Sequence, residues 1–448
     1  MKYIFTLLFL LNINCAKIGV IGTGYVGLIT GICFAESGHN VTCVDINKQR
    51  IDDLNNNVLP IYEDGLEELV KKNVNKNIFF TCDIKKTIEE NDFIFLAINT
   101  PSRDDGSCNI DYLESAYNFI IDIVKEQKIK KIICIKSTVA IGTNYYLQQL
   151  ATDNGLNDLI SVVSNPEFLR EGFAIYDSFN PSRIIIGSSD IVAAQKVADL
   201  YNFLNLPKNK IVLTDTKTAE LIKYASNSFL ALKLVYINEL AMLCNKIDAS
   251  IEQTSFGMGL DDRIGSLFLK AGPGISGSCF PKDVKALSYI LNLHNMNGII
   301  NQITTIDNNY KKNIIAKCLE FIGDIKNPKI ALLGLTFKAG TDDVRDSMSL
   351  LLIDAFKDKA TISAFDPKGI ANTKKIYPEL NYCSDPLQAC NGAHLVIIVT
   401  EWPEIASIDL KDLALRVSYK NIIDLRNLYS IHEFKKYNFS YFNLGRNS

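Results

Sequence analysis

Histidine is scarce in this chain, with four in 448 residues, and the eleven cysteines never fall in a CxxC pair. Those absences argue against a zinc site and against a disulfide framework, and thiols in this number suit a reducing cytosol. Basic residues are not in excess: 47 Lys and Arg face 50 Asp and Glu, for a net charge of −3. A chain so balanced lacks the electrostatic footprint of a nucleic-acid binder, and any phosphate must be held by local groups. Long apolar runs are almost missing. The exception is the start, "MKYIFTLLFLLNINCA", where Lys2 precedes an apolar stretch too short to span a bilayer as a helix. It resembles a short secretory signal, yet Lys17 opens the next strand with no spacer. Residues 1–16 are read as an apolar extension, either disordered or the product of an upstream start codon. No other segment reads as transmembrane, so neither membrane nor nucleic acid is an expected partner, and a cytoplasmic location is expected. What is present is apolar residue, 47% of the chain, over a length that suggests about three domains.

"KIGVIGTGYVGLITGICFAESGHNVTCVDIN" reads as strand, turn, helix, turn, strand. Residues 18–22 form an apolar run suited to a buried parallel strand. Gly22, Gly24 and Gly27 follow with G-x-G-x-x-G spacing, and a helix is expected over 25–37, ending at Gly38. Asp45 closes the next strand, eighteen residues beyond Gly27. Strand, glycine turn, helix and distant acid together predict a dinucleotide site of Rossmann type. Gly22 permits the tight turn, Gly24 lets the backbone approach a pyrophosphate, and Gly27 lets helix and strand pack closely. The intervening Tyr25 and Val26 fall in the same cofactor loop. Asp45 would accept from ribose hydroxyls and repel a 2′-phosphate, which favours NAD over NADP. Arg50 either helps to place the adenosine end or is a solvated charge.

Further apolar strands are expected near 92–100, 131–138 and 159–168, each ending in polar residues. Ligands gather at the carboxyl ends of such strands, so Thr100, Thr138 and the "NPEFLREG" segment from Asn165 to Gly172 fall on one rim. Residues 215–247 read as one long helix without internal Gly or Pro. Lys223 and Asn227 share a face of it with Glu220, although a helical lysine is more often simply solvated. A second strand–turn–helix pattern begins at 327, with strands expected at 361–367, 394–402 and 421–427. The fold expected is α/β, with two Rossmann-like doubly wound domains joined by a long central helix. The boundaries are 17–212, 213–326 for a helical middle domain, and 327–448.

"GPGISGSCFPKD", residues 272–283, has the period of neither helix nor strand. Most cysteines are small buried hydrophobes, and ten of the eleven are read that way, Cys33, Cys43 and Cys134 among them. Cys279 differs because the glycines at 272, 274 and 277 allow close backbone approach to a ligand. Lys282 nearby would favour the thiolate, against an ordinary thiol pKa of about 8.5.

The segments "GTGYVGL", "NPEFLREG", "AELIKYASNSFLALK", "DDRIG", "GPGISGSCFPKD", "LTFKAGTDDVRDS" and "IIDLRN" occur in one order over residues 17–430. In this the chain resembles the UDP-glucose/GDP-mannose dehydrogenase family. The resemblance implies an NAD domain, a helical dimerising middle and a UDP-binding domain, in at least a homodimer. It implies NAD-dependent four-electron oxidation of a nucleotide sugar, UDP-glucose or a related one, at C6. Cys279 would carry a thiohemiacetal and then a thioester, which water hydrolyses to the acid. Lys223 and Asn227 would stabilise negative charge on the C6 oxygen. Asp283 would position a water or hold Lys223, and Glu167 would act on the hydrolytic water, with Glu171 near the nicotinamide. A glutamate pair at that spacing could instead mark an exposed helix face. Phe168 and Leu169 join Glu167 among the substrate contacts implied, with Gly272 and Gly274. Lys338, Arg263 and Arg426 match phosphate and sugar contacts, Arg263 from a second subunit. Phe268 and Lys270 match positions beside the uracil and sugar, and Arg345 an NAD contact.

Two departures from the family pattern stand out. "GFGGSC" reads "GISGSC", with Ile275 for an aromatic and Ser276 for a glycine, and "STVPVG" reads "STVAIG", with Ala140 for proline. They bear on sugar preference, which sequence leaves open between UDP-glucose, GDP-mannose and UDP-N-acetylhexosamines. A catalytically silent NAD-binding protein would be expected to lack Cys279, Lys223 or Asn227; all three are present.

Overall fold

The computed structural model describes residues 15–446. The expected leader, up to residue 14, lies outside the described residues. The chain forms two compact units, 1–223 and 224–448, and their boundary falls inside the helix Thr216–Ile247.

The first unit is built on eight strands: β1 (Lys17–Ile21), β2 (Asn40–Val44), β3 (Ile78–Thr81), β4 (Phe93–Leu96), β5 (Lys131–Ile135), β6 (Ile160–Ser164), β7 (Ile184–Gly187) and β8 (Ile211–Thr214). Their order is β3-β2-β1-β4-β5-β6-β7-β8. All pair in parallel except β6 with β7. Short runs such as "KIGVI" and "KIICI" suit this position because helices cover both faces of the sheet. One core holds Ile18, Val20, Leu28 and Phe95; a second holds Ile21, Leu96, Ile133 and Tyr117. Each such buried side chain contributes about 1.5–3 kcal/mol. The strand order reverses between β1 and β4, the switch point at which open sheets bind ligands.

The second unit has six parallel strands: β9 (Lys329–Leu333), β10 (Thr361–Phe365), β11 (Asn381–Tyr382), β12 (Leu395–Ile398), β13 (Asn421–Asp424) and β14 (Ser440–Asn443). They run in the order β11-β10-β9-β12-β13-β14. The helices before this sheet share its core: Ile237, Ala241 and Cys244 pack in one cluster with Tyr310, Ile314, Ile330, Leu332 and Ile397.

Several strands stop short of their predicted ends, at residues 96, 135 and 164 rather than 100, 138 and 168. The polar tails leave the ladder and become the rim loops. One expectation about the cysteines fails. Seven of the ten outside the glycine loop are buried, but Cys15 and Cys82 are exposed and Cys108 is partly exposed. Cys82 follows β3, the edge strand of the sheet, and lies outside its ladder. The sequence reading also found no further segment fit to span a membrane, whereas Thr216–Ile247 is long and apolar enough to do so. Glu220 and Lys223, both buried in polar contacts, mark it as a core helix.

Candidate active site

In the first unit the glycine turn is dictated by contact. Gly22 has φ +98°, and a Cβ there would stand 2.5 Å from the Ala97 carbonyl oxygen. A Cβ on Gly27 would stand 1.9 Å from the Gly22 carbonyl oxygen, so helix and strand meet only because both lack side chains. Gly24 is different: nothing lies within 4 Å of its added Cβ. It caps the helix Tyr25–Glu36 without any side-chain hydrogen bond. That leaves open space at a helix N-terminus, which suits a phosphate.

Asp45 stands just beyond β2. Its Oδ2 accepts from the Thr23 N–H and Oγ1, both at 2.8 Å, and its Oδ1 accepts from Asn47 N at 3.0 Å. Burial alone would raise this carboxyl, but those hydrogen bonds and Arg50 bring it below its ordinary value. Arg50 reaches Asp45 at 3.1 Å while remaining about a third exposed, so it is not merely a solvated charge. Thr100 is buried and donates to the Thr138 carbonyl at 2.6 Å, joining two strand-end loops. Tyr25 donates to Glu63, which also accepts from Gly172 N and Ala174 N, both at 2.7 Å. Glu63 thus ties the cofactor loop to the end of "NPEFLREG". Open space at Gly24, an uncapped helix start and an ionised Asp45 fit a dinucleotide without a 2′-phosphate.

The "NPEFLREG" segment is a loop rather than a helix face. Glu167 is buried, and Lys223 Nζ donates to its Oε1 at 2.7 Å and to its carbonyl oxygen at 2.8 Å. Leu169 N donates to Oε2 at 2.6 Å. Burial pushes the Glu167 carboxyl up, but Lys223, the Leu169 N–H and Lys136 together outweigh it and the net displacement is downward. Lys223 is therefore not the solvated helical lysine that its sequence context allows. Phe168 has two cations near its ring, the Arg183 guanidinium 3.5 Å and Lys223 Nζ 5.3 Å from the ring centre. Glu171 is partly exposed in the same loop.

Sequence reasoning missed Lys136. It follows β5, is buried, and donates to Asn165 Oδ1 at 3.1 Å and Tyr201 OH at 3.3 Å. Burial lowers it to about 8, against the pull of Glu167. A lysine closing the apolar run "KIICIK" was the available signal. Glu63 in "IYEDGL" gave none.

In the second unit Cys279 is the N-cap of the helix Phe280–Leu293 and is partly exposed. Asp283, fully buried in the first turn, accepts from Asn227 Nδ2 at 2.6 Å and from Lys282 Nζ at 2.6 Å. Lys282 therefore does not face the thiol as a lone cation; its charge is matched by Asp283. Gly277 has φ +82° and lies against the Phe337 ring, and its N–H donates to the Arg345 carbonyl at 3.1 Å. Ile275 is buried with Val235, Val284 and Ile303, so an aliphatic side chain serves at this position. Ser276 keeps a negative φ, which tolerates its Cβ.

Arg426 follows β13 in a turn shaped by Asp424, which accepts from Arg426 N at 3.0 Å and Leu428 N at 2.7 Å. Its guanidinium donates to the Val399 and Phe337 carbonyls, each at 2.7 Å, and meets Glu401 at 2.8 Å. An added Cβ on Gly272 would stand 3.5 Å from Arg426 Nη1, which brings two expected substrate residues together. Lys338 Nζ lies 5.5 Å from the Phe337 ring centre. Phe268 has φ +64°, unusual for an aromatic residue, and its ring is 5.9 Å from that of Phe280. Lys270 is exposed. Arg263 and Arg345 are exposed and pair with their own Asp261 and Asp343, each at 2.6 Å.

Three models of the UDP-glucose/GDP-mannose dehydrogenase family match the chain in order: the NAD binding domain over residues 16–205, the central domain over 217–309 and the UDP binding domain over 331–431. A protein named UDP-glucose 6-dehydrogenase from Rhizobium meliloti (strain 1021) is 40% identical over 437 residues, covering 96% of this chain and 99% of the relative. UDP-glucose 6-dehydrogenase YwqF of Bacillus subtilis (strain 168) is 40% identical over 435 residues, covering 96% and 98%. Among solved structures, a UDP-glucose dehydrogenase from Pyrobaculum islandicum aligns with a TM-score of 0.90 at 30% identity, over 98% of this chain and 100% of the other.

Proposed function

The chain belongs to the UDP-glucose/GDP-mannose dehydrogenase family, and from that premise we propose that it oxidises UDP-glucose at C6 to UDP-glucuronate. The observation that carries the reading is Cys279, partly exposed at a helix N-cap on a glycine loop and followed by the buried Asp283–Asn227 pair. NAD, when bound, accepts one hydride in each of two oxidations. Gly22, Gly24, Tyr25, Val26 and Gly27 would hold its pyrophosphate and Asp45 with Arg50 its adenosine ribose. Thr100, Thr138, Glu171 and Arg345 would contact the remainder.

In the first oxidation the C6 alcohol becomes an aldehyde, and its hydroxyl proton leaves through a water held by Asp283. Lys223 and Asn227 donate to the C6 oxygen while it carries negative charge. The Cys279 sulfur then bonds to the aldehyde carbon, the carbonyl π bond opens, and the proton lost by the thiol passes to the oxygen to give a thiohemiacetal. Loss of a second hydride and of that proton leaves a thioester. Water adds to the carbonyl, the carbon–sulfur bond breaks, and acid and thiol are released. Glu167, kept ionised beside Lys223, is the base that takes a proton from this water. Lys338 and Arg426 would hold the diphosphate, with Phe268, Lys270, Gly272, Gly274, Phe168 and Leu169 around uracil and sugar.

The division of labour is an NAD domain over 17–212, a helical middle over 213–326 and a nucleotide-sugar domain over 327–448. The protein acts as a homodimer or a higher homo-oligomer. Supporting this, Phe229, Tyr236, Leu243 and Ile247 form an exposed apolar stripe on Thr216–Ile247, and a second copy would cover it. The side chain of Arg263, 89% exposed, would then reach the partner's substrate. A cytoplasmic location fits eleven cysteines without a disulfide. The test is purified protein with NAD and a panel of UDP- and GDP-sugars, read by NADH absorbance. Two NADH per UDP-glucose is expected. Turnover of GDP-mannose or a UDP-N-acetylhexosamine instead would replace the substrate, and no turnover at all would overturn the activity.

A further inference from the structure

Asp307 and Lys311 lie four residues apart on the helix Ile299–Ile322, a spacing typical of a solvated surface pair. They are only 5% and 8% exposed, and they meet at 2.7 Å. Asp307 Oδ1 accepts the Ile275 N–H at 2.8 Å, and Lys311 Nζ donates to the Ile275 carbonyl oxygen. One buried ion pair therefore takes both main-chain polar groups of a residue in the cysteine loop. Three residues earlier, Gly272 is held in the same manner. Its N–H donates to Asn238 Oδ1 at 2.9 Å, and its carbonyl accepts the Tyr310 hydroxyl at 2.8 Å. Gly274, between them, has φ +107°, and a Cβ there would lie 2.6 Å from Lys311 Cε and 2.9 Å from Asp307 Oδ1.

A segment with glycines at 272, 274 and 277 has much backbone freedom to lose on becoming ordered. A buried ion pair adds little net stability over an apolar pair of equal volume. What this pair does supply is direction, because it fixes an N–H and a C=O at once. We propose that Asp307, Tyr310 and Lys311 form one face of a clamp that positions Cys279. This rests on the reading of Cys279 as the covalent nucleophile. Removal of the first hydride does not involve the sulfur, whereas addition to the aldehyde and the second oxidation do. Displacing a reacting group by about 1 Å costs roughly 100-fold in rate. Loosening the clamp should therefore uncouple the two oxidations.

The experiment uses full-length Asp307→Asn, Lys311→Met and Tyr310→Phe proteins beside Cys279→Ser, with UDP-glucose, NAD and a hydrazine trap for aldehyde. The expected result for the clamp variants is a ratio of NADH to sugar falling from two towards one. Trapped aldehyde appears, the second oxidation slows by ~10–100-fold, and KM for NAD stays unchanged. A rate loss with the ratio fixed at two would mean a merely structural role and would overturn the proposal, as would unaltered kinetics. If the charge variants do not fold, Tyr310→Phe, which removes a single hydroxyl, decides by the same ratio. Acid formed at the full rate by Cys279→Ser would sink the thioester reading itself, whatever the clamp variants do.

Discussion

Asp45 follows β2 and Asp366 follows β10, and each accepts hydrogen bonds from the threonine in the loop leaving the neighbouring strand. That loop opens on a glycine of positive φ in both sheets, Gly22 at +98° and Gly334 at +95°. The two acids nevertheless do different work. Asp45 has Arg50 and the open rim beside it. Asp366 accepts from Leu335 N, Thr336 N and Oγ1, Lys368 N, Gly369 N and the Trp402 indole. A Cβ would find no room at either glycine, 2.4 Å from Thr400 Cβ at Gly334 and 2.5 Å from the Ala97 carbonyl oxygen at Gly22, and the open position of the first loop is Gly24, two residues on. Exposure falls from 9% at Asp45 to 2% at Asp366. The same strand order thus offers a candidate ligand site where the acid is less enclosed, and a structural keystone where an indole closes it. A similar inversion occurs one strand pair away. Lys136 follows β5, while Asp424 ends β13, the strand in the same place in the second sheet.

The largest effect should come from Asp366→Ala. It leaves several buried donors without an acceptor, at a cost of about 3–5 kcal/mol, seen as a lower urea midpoint with KM for NAD unchanged in the folded fraction. A loss below about 1 kcal/mol would dissolve the contrast with Asp45. Gly27→Ala should cost about 1–3 kcal/mol, because its Cβ meets backbone that cannot move. Gly24→Ala should leave thermal unfolding untouched and act only on NAD binding, since its Cβ meets no protein atom. Asp45→Asn should raise KM for NAD ~10-fold and narrow the preference over NADP by a similar factor, with little loss of stability. Strong destabilisation by this change would make Asp45 a second keystone.

The smallest effects are in pH dependence. Burial lowers Lys136 to about 8. Its cost to the fold is therefore full below that pH and is relieved as pH rises towards the ordinary lysine value. Stability of the wild type should gain on Lys136→Met across that window. Burial raises Asp424 despite its hydrogen bonds, so stability should instead fall as pH rises from the ordinary carboxylate range to its raised value. Wild type should lose ground to Asp424→Asn there, by urea unfolding at a series of pH values. Equal slopes in the two comparisons would refute the inversion.

Much of the candidate site was legible because local contact dictates its backbone. A glycine pattern between strand and helix has one steric solution, and Gly22 and Gly27 meet it. The cysteine loop stood out because its residues fit neither a helix nor a strand. Other features were ambiguous in the chain. Lys223 on helical spacing alone read more readily as solvent-facing, and only the loop carrying Glu167 takes it out of water. The four-residue spacing of Asp307 and Lys311 did not mark them as buried, and Glu63 lay in a stretch without period.

The amino-acid order by itself determined the elements, the two nucleotide-type folds and the unusual loop that carries Cys279, since steric limits and apolar periodicity act between near neighbours. Tertiary structure alone decided which charges leave water and which partners they find. Burial and pairing depend on surfaces brought together from distant parts of the chain, and no local spacing encodes them. For that reason Asp45 and Asp366, so alike in their local setting, part company only when Trp402 arrives.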